Sequence, residues 1–295
     1  VAVSFGRGLL AVGTSPVILV TGFVATIALW FAFVAISSGV VPSSAALVQM
    51  LLLPPGHSFV DVGLLAGSRA NPTAGLAFAV GLILVRAFLA GFLIAASDAA
   101  LRGQRSPGEM LRQSAARAIR AFWVVLALEA GYVMITLFVG TLPFILGAQA
   151  APLVSAAWLI GGLYFLIYCQ ICAVIDGASP RDSVTWSIRA ARLPGREHAL
   201  LILGYVAISL LLPAFADRIS GLQATPSISA WIYALTAAFL NLSVLAAFVW
   251  RWNVLAEPVK AGAGSRPRRS AGPARSVARG GSRPAGRTGT TRGGR

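Results

Sequence analysis

Apolar residues fall along this chain in long blocks, with no Asp, Glu, Lys or Arg from Gly8 to Val60, Ala130 to Ile175 or Ile219 to Trp250. A helix needs ~20 predominantly apolar residues to cross a bilayer core, and the middle block is long enough for two crossings with a turn between them. The blocks lack the polar alternation of an outer-membrane strand, and an open backbone has no partners in lipid, so helices are the expected element. The pattern predicts spans at 16–37, 75–97, 121–146, 153–175, 198–216 and 228–250. Arg7 ahead of the first block has the look of a signal peptide, but the apolar run exceeds a signal core and reads better as a first transmembrane helix. The expected fold is therefore all-α: an integral membrane bundle of six transmembrane helices, with two short amphipathic cytoplasmic helices.

Composition supports this reading. Residues are 57% hydrophobic and 11% charged, where a soluble domain would carry about 25% charged residues. Arginine placement then sets the orientation, because short loops rich in Arg and Lys stay in the cytoplasm. The loop 98–120 holds Arg102, Arg105, Arg112, Arg117 and Arg120, and the loop 176–197 holds Arg181, Arg189, Arg192 and Arg196. The opposite connections hold Arg69 and Arg218 alone. Both termini are thus expected inside. Lys260 is the sole lysine against many arginines, as a GC-rich bacterial genome would give, which makes the inner membrane of a bacterium the expected location.

Outside the blocks two segments differ in kind. In the outer segment 38–74, Ser43 to Leu53 could form an interfacial helix, with Leu47, Met50 and Leu51 on one face and Pro54, Pro55 and Gly56 stopping it. A loop capping the bundle and a ligand lid are both open for it. From Pro258 onward the chain is Gly, Ala, Arg, Pro and Ser with ten basic residues and no acidic one, so a disordered basic tail over 256–295 is expected to follow a domain of 1–255. The basic loops and such a tail would meet anionic lipid of the bilayer at ~1 kcal/mol per nearby residue. Charge equally allows an acidic partner or nucleic acid, the latter the least favoured for a membrane chain.

The two cytoplasmic loops repeat one another. One reads Gly103-Gln-Arg-Ser106-Pro107-Gly-Glu109 with Ser114 following; the other reads Gly177-Ala-Ser179-Pro180-Arg-Asp182 with Ser187 following. This is the chemistry of a helix start. Ser106 and Ser179 suit the N-cap, Pro107 and Pro180 suit the first helical position, and Glu109 and Asp182 suit a capping box and the positive end of the helix dipole. Each start predicts a short basic helix on the inner surface, the second ending at Leu193-Pro194-Gly195. The unit is a surface helix plus a transmembrane hairpin, at 106–175 and 179–250, with a degenerate first copy at 4–97.

Val174-Ile-Asp-Gly-Ala-Ser-Pro180, then Ser187-Ile-Arg-Ala-Ala-Arg-Leu-Pro-Gly195, then the apolar run from Ala199 resemble a large group of bacterial multi-pass membrane domains. The group includes the membrane domain that precedes some glycerophosphodiester phosphodiesterases. They look like that family's acidic–Gly–X–Ser–Pro turn and its Ser-to-Gly surface helix, and the resemblance covers about residues 5–255. It implies a membrane domain only. A phosphodiesterase barrel would need a further domain rich in His and carboxylates, so that activity is not carried over.

Two charges fall inside the predicted spans, Arg86 and Glu129. At ~1.5 Å per residue they lie roughly 16 and 12 Å deep, on helices joined by a short loop. An unpaired ion there costs ~2.5–3.5 kcal/mol or more, which predicts that they pair. The pair could gate a pathway or lock two helices, and Asn241 could join it or simply hold helices together by hydrogen bonding. Cys169 and Cys172 lack the two further ligands of a zinc site and read as small apolar residues. His57 and His198 are predicted on opposite sides of the membrane, and the chain has no phosphate loop, His-Glu-X-X-His or Gly-X-Ser-X-Gly motif. No cofactor and no catalytic residue is expected. The leading expectation is a non-enzymatic scaffold or assistant of membrane partners at the cytoplasmic face. The rival is a small-molecule or lipid transporter lined by Arg86, Glu129 and Asn241.

Overall fold

The computed structural model describes residues 2–36, 72–104, 106–219 and 228–264. The outer segment with its expected interfacial helix, the loop at 220–227 and the chain beyond Gly264 lie outside the described residues, as does His57. Every described element is helical: α1 Ala2–Gly13, α2 Pro16–Ile36, α3 Pro72–Leu101, α4 Pro107–Leu146, a 3-10 turn Ala148–Ala150, α5 Ala151–Leu166, α6 Cys169–Asp176, α7 Pro180–Arg192, α8 Glu197–Ile219 and α9 Ile228–Gly264.

Among the described residues three stretches are long and apolar enough to cross a membrane: Val80–Leu101 in α3, Pro107–Leu142 in α4 and Trp231–Ala261 in α9. Helices α1 and α2 would make a fourth if counted together, but they meet at a bend of 83°. Pro16 opens α2 there and contributes no N–H, so the Ser15 junction turns sharply. Two shorter apolar stretches, Ile160–Asp176 and Glu197–Ile208, complete the set. A multi-pass all-α membrane fold follows at this coarser level.

The sequence reading needs two corrections. The helix from Pro107 is not a separate surface element. It runs straight into the third predicted span as 40 residues, because nothing between Glu109 and Ala130 is Gly or Pro and Ala, Leu, Arg and Met favour helix throughout. The helix from Pro180 does end, at Arg192, where Leu193-Pro194-Gly195 supplies the stop and Gly195 takes a positive φ of 141°. The second correction concerns the tail. Helix α9 continues past residue 255 to Gly264 with Pro258 inside it, held by the buried Val259 and by Lys260 on Asp176.

Helix α9 is the spine. Residues 241–249 of α9 and 91–99 of α3 are buried without a break. Close approach depends on small residues. A Cβ on Gly8 of α1 would stand 2.1 Å from the Ser243 carbonyl oxygen of α9, and one on Gly91 would stand 3.2 Å from the Ala118 Cα of α4. By contrast α4 turns Ile119, Trp123, Met134, Phe138 and Ile145 outward, an apolar surface suited to lipid rather than water. Serine seals the break between α5 and α6: Ser187 Oγ donates to the Phe165 carbonyl at 2.7 Å and accepts from the Tyr168 N–H at 3.1 Å.

Candidate functional site

Buried polar groups collect at two levels. At mid-membrane, Arg86 of α3 and Glu129 of α4 are both buried, with Arg86 Nη2 4.0 Å from Glu129 Oε1. The closer partner of the carboxylate is Gln170 of α6, whose Nε2 donates to Oε1 at 2.6 Å, a charge-assisted bond stronger than one between neutral groups. Three helices therefore meet at one carboxylate. Sequence reasoning missed Gln170, although a lone amide between Cys169 and Cys172 in an apolar run was a usable signal.

Asn241 of α9 lies at the same depth. Asp98 of α3 bonds Asn253 of α9 at 3.0 Å, and Arg86 and Asn241 each stand the same twelve residues before those partners. Gly22 against Leu242, and a cavity that Val20 and Ala28 share with Val85 and Leu89, give the same alignment. The Asn241 side chain is buried, and neither its oxygen nor its nitrogen has a partner among the described residues. An unmet buried polar group costs ~1–3 kcal/mol.

At the second level, where the apolar runs of α3 and α6 end, three acids meet three consecutive residues of α9. Successive helical residues point ~100° apart, so Arg251, Trp252 and Asn253 reach three different elements. Arg251 pairs with Glu197 at the start of α8. Trp252, fully buried, donates its indole N–H to Asp176 Oδ2 at 2.8 Å. Asn253 donates to Asp98 Oδ1. Asp98, itself fully buried, also receives Arg102 Nε at 3.0 Å and Arg117 Nη1 at 2.8 Å. Asp176 receives Lys260 as well, whose ammonium stands 5.6 Å from the Trp186 ring centre of α7.

Asp98 and Asp176 each stand ahead of a Ser-Pro helix start, by eight and three residues, and both are held by α9. Asp176 figured in the sequence only as a family-like motif residue, and Asp98 not at all. The signal was there: both are acids standing where an apolar run ends.

The repeat caps differ in detail. Ser179 accepts the Asp182 N–H at 3.2 Å and donates to Asp182 Oδ2 at 2.7 Å. Ser106 has extended cap geometry, yet its side chain makes no cap bond. Glu109 faces Gln113 at 2.6 Å and Arg112 at 3.4 Å instead. Pro107 and Pro180 each open their helix.

His198 Nε2 lies 2.7 Å from the Tyr164 carbonyl oxygen, which can only accept, so this nitrogen carries the proton and Nδ1 is left to accept from Tyr168 Oη at 3.3 Å. Cys169 and Cys172 are free and buried. Among the described residues no group of three or more His, Cys, Asp or Glu could hold a metal ion. Chemically, then, both levels join helices: carboxylates are met by guanidinium, indole, amide and ammonium donors from other segments. Comparison with family models, with curated proteins and with solved structures gave no match. The family resemblance therefore rests on its quoted motifs alone.

Proposed function

We propose that this chain is a non-enzymatic inner-membrane protein of six spans that scaffolds or assists membrane partners at its cytoplasmic face. The spans would be α2, α3, α4, the broken pair α5–α6, α8 and α9, with both termini inside. One observation carries the reading: Arg251, Trp252 and Asn253 tie α8, α6 and α3 to one helix end. That arrangement fixes a cytoplasmic platform while Arg181, Arg192 and Arg196 remain exposed on it. A fixed basic surface beside the bilayer suits an acidic face of a membrane partner. A photoreactive side chain in place of Arg192, activated in intact cells, should give discrete protein adducts. Adducts confined to lipid would overturn the reading.

A second reading, transport of a small molecule or lipid, is favoured by the unmet carboxamide of Asn241 at the depth of Arg86 and Glu129. Polar groups stranded in mid-membrane often mark a pathway. Asn241→Cys in a Cys169→Ala, Cys172→Ala background separates the two. Scaffolding expects no modification by a membrane-impermeant maleimide from either side, whereas labelling would favour transport.

A further inference from the structure

A cavity of about 390 Å³ opens between α4 and α6, lined by Arg117, Arg120, Val124, Val174, Asp176 and Gly177 among others. Its chemistry is divided by depth. On α4 the charges end at Arg120 and an apolar run begins at Ala121; on α6 the apolar run ends at Ile175 and the first charge is Asp176. The cavity thus straddles the boundary where lipid headgroups give way to acyl chains. Trp123, exposed one turn from Arg120, is the amphipathic ring that favours that boundary.

The charges within it are unevenly committed. Asp176 has one carboxylate oxygen on Trp252 and the other on Lys260. Arg117 gives Nη1 to Asp98 and keeps its remaining N–H groups, on a side chain 38% exposed. Arg120 is exposed and has no carboxylate partner among the described residues. The free charge at the mouth is therefore a guanidinium, whose fork of donors matches phosphate oxygens. Nothing stands within 4 Å of where a Cβ on Gly177 would lie, so the mouth is open on that side. Below the arginines, Ala121, Val124, Ala173 and Val174 form an apolar wall.

We infer that this cavity is a binding site for a phosphate group, supplied by an acidic phospholipid of the inner leaflet. The phosphate sits between Arg120 and the free N–H groups of Arg117, and the glycerol and first acyl carbons lie along Val124 and Val174. The inference rests on the multi-pass reading, and it goes beyond a general attraction of basic loops to lipid because it names one cavity and one unpaired arginine.

The test titrates phosphatidylglycerol into the full chain, extracted from membranes in neutral detergent, and follows retained lipid by native mass spectrometry. Phosphatidylglycerol should bind in preference to phosphatidylcholine. Arg120→Ala should weaken it about five-fold, the worth of one basic residue beside an anionic lipid. Arg120→Lys should restore part of the loss, and Arg112→Ala, outside the cavity, should leave binding unchanged. Equal retention of phosphatidylcholine, or equal losses from Arg112→Ala and Arg120→Ala, would overturn the site. Displacement of phosphatidylglycerol by sodium phosphate at comparable concentration would overturn the lipid as the source and assign a soluble phosphate. Whether the chain fractionates with membranes before extraction tests the multi-pass reading separately.

Discussion

Inside the apolar stretches Glu129 meets one arginine at 4.0 Å and one amide at 2.6 Å, whereas at the ends of those stretches Asp98 meets three donors within 3.0 Å. Both acids are buried, but their surroundings differ. Arg86 and Glu129 are buried on all sides and have few donors or acceptors to exchange for a lost partner. Around Asp98 the donors are redundant, and Arg102 is 60% exposed on its side chain, so a lost contact is replaced by a neighbour or by solvent. The two levels teach that burial of a charge does not by itself set its energetic weight. The number of alternative partners does.

The largest effect should come where packing and a polar bond coincide. Trp252→Ala removes a fully buried ring and the donor to Asp176, and large aromatic truncations cost about 3–5 kcal/mol. Purified protein should lose its monodisperse peak in size-exclusion chromatography or melt far earlier. Next, Glu129→Leu takes the carboxylate from beside the buried Arg86, a loss of about 2.5–3.5 kcal/mol, while the double change Arg86→Leu with Glu129→Leu should recover most of it. No recovery in thermal melts would mean that the two charges do not act as a pair.

Smaller still, Ser179→Ala removes a cap bond worth ~1 kcal/mol, and Ser106→Ala, which has no cap bond to lose, should shift melting far less. Equal shifts would erase the difference between the two repeat starts.

The mid-membrane pair was legible because any charge inside an apolar run stands out, and antiparallel neighbours joined by a short loop bring matching depths together. Gln170 was less so: an uncharged amide marks an apolar run more weakly than an ion does, and the 3-10 turn and the break between α5 and α6 that separate it from Glu129 hide its depth. The same holds at the second level. Asp98, Asp176 and Glu197 read as ordinary loop charges until α9 is laid beside them.

Helical character, the polar and apolar blocks, and the Ser-Pro starts were determined by the sequence alone, because each depends on a transfer energy or a backbone preference spanning a few residues. Where the helices break was half legible. Leu193-Pro194-Gly195 announces a stop, but at the break between α5 and α6 it is Ser187, on another helix, that bonds the backbone groups of Phe165 and Tyr168. The merging of the Pro107 helix with its span, the reach of α9 to Gly264 and the choice of α9 as the common anchor were decided by tertiary structure. Each requires groups far apart in the chain to come within hydrogen-bonding or van der Waals reach, and that distance is a property of the packed bundle rather than of any local run of residues.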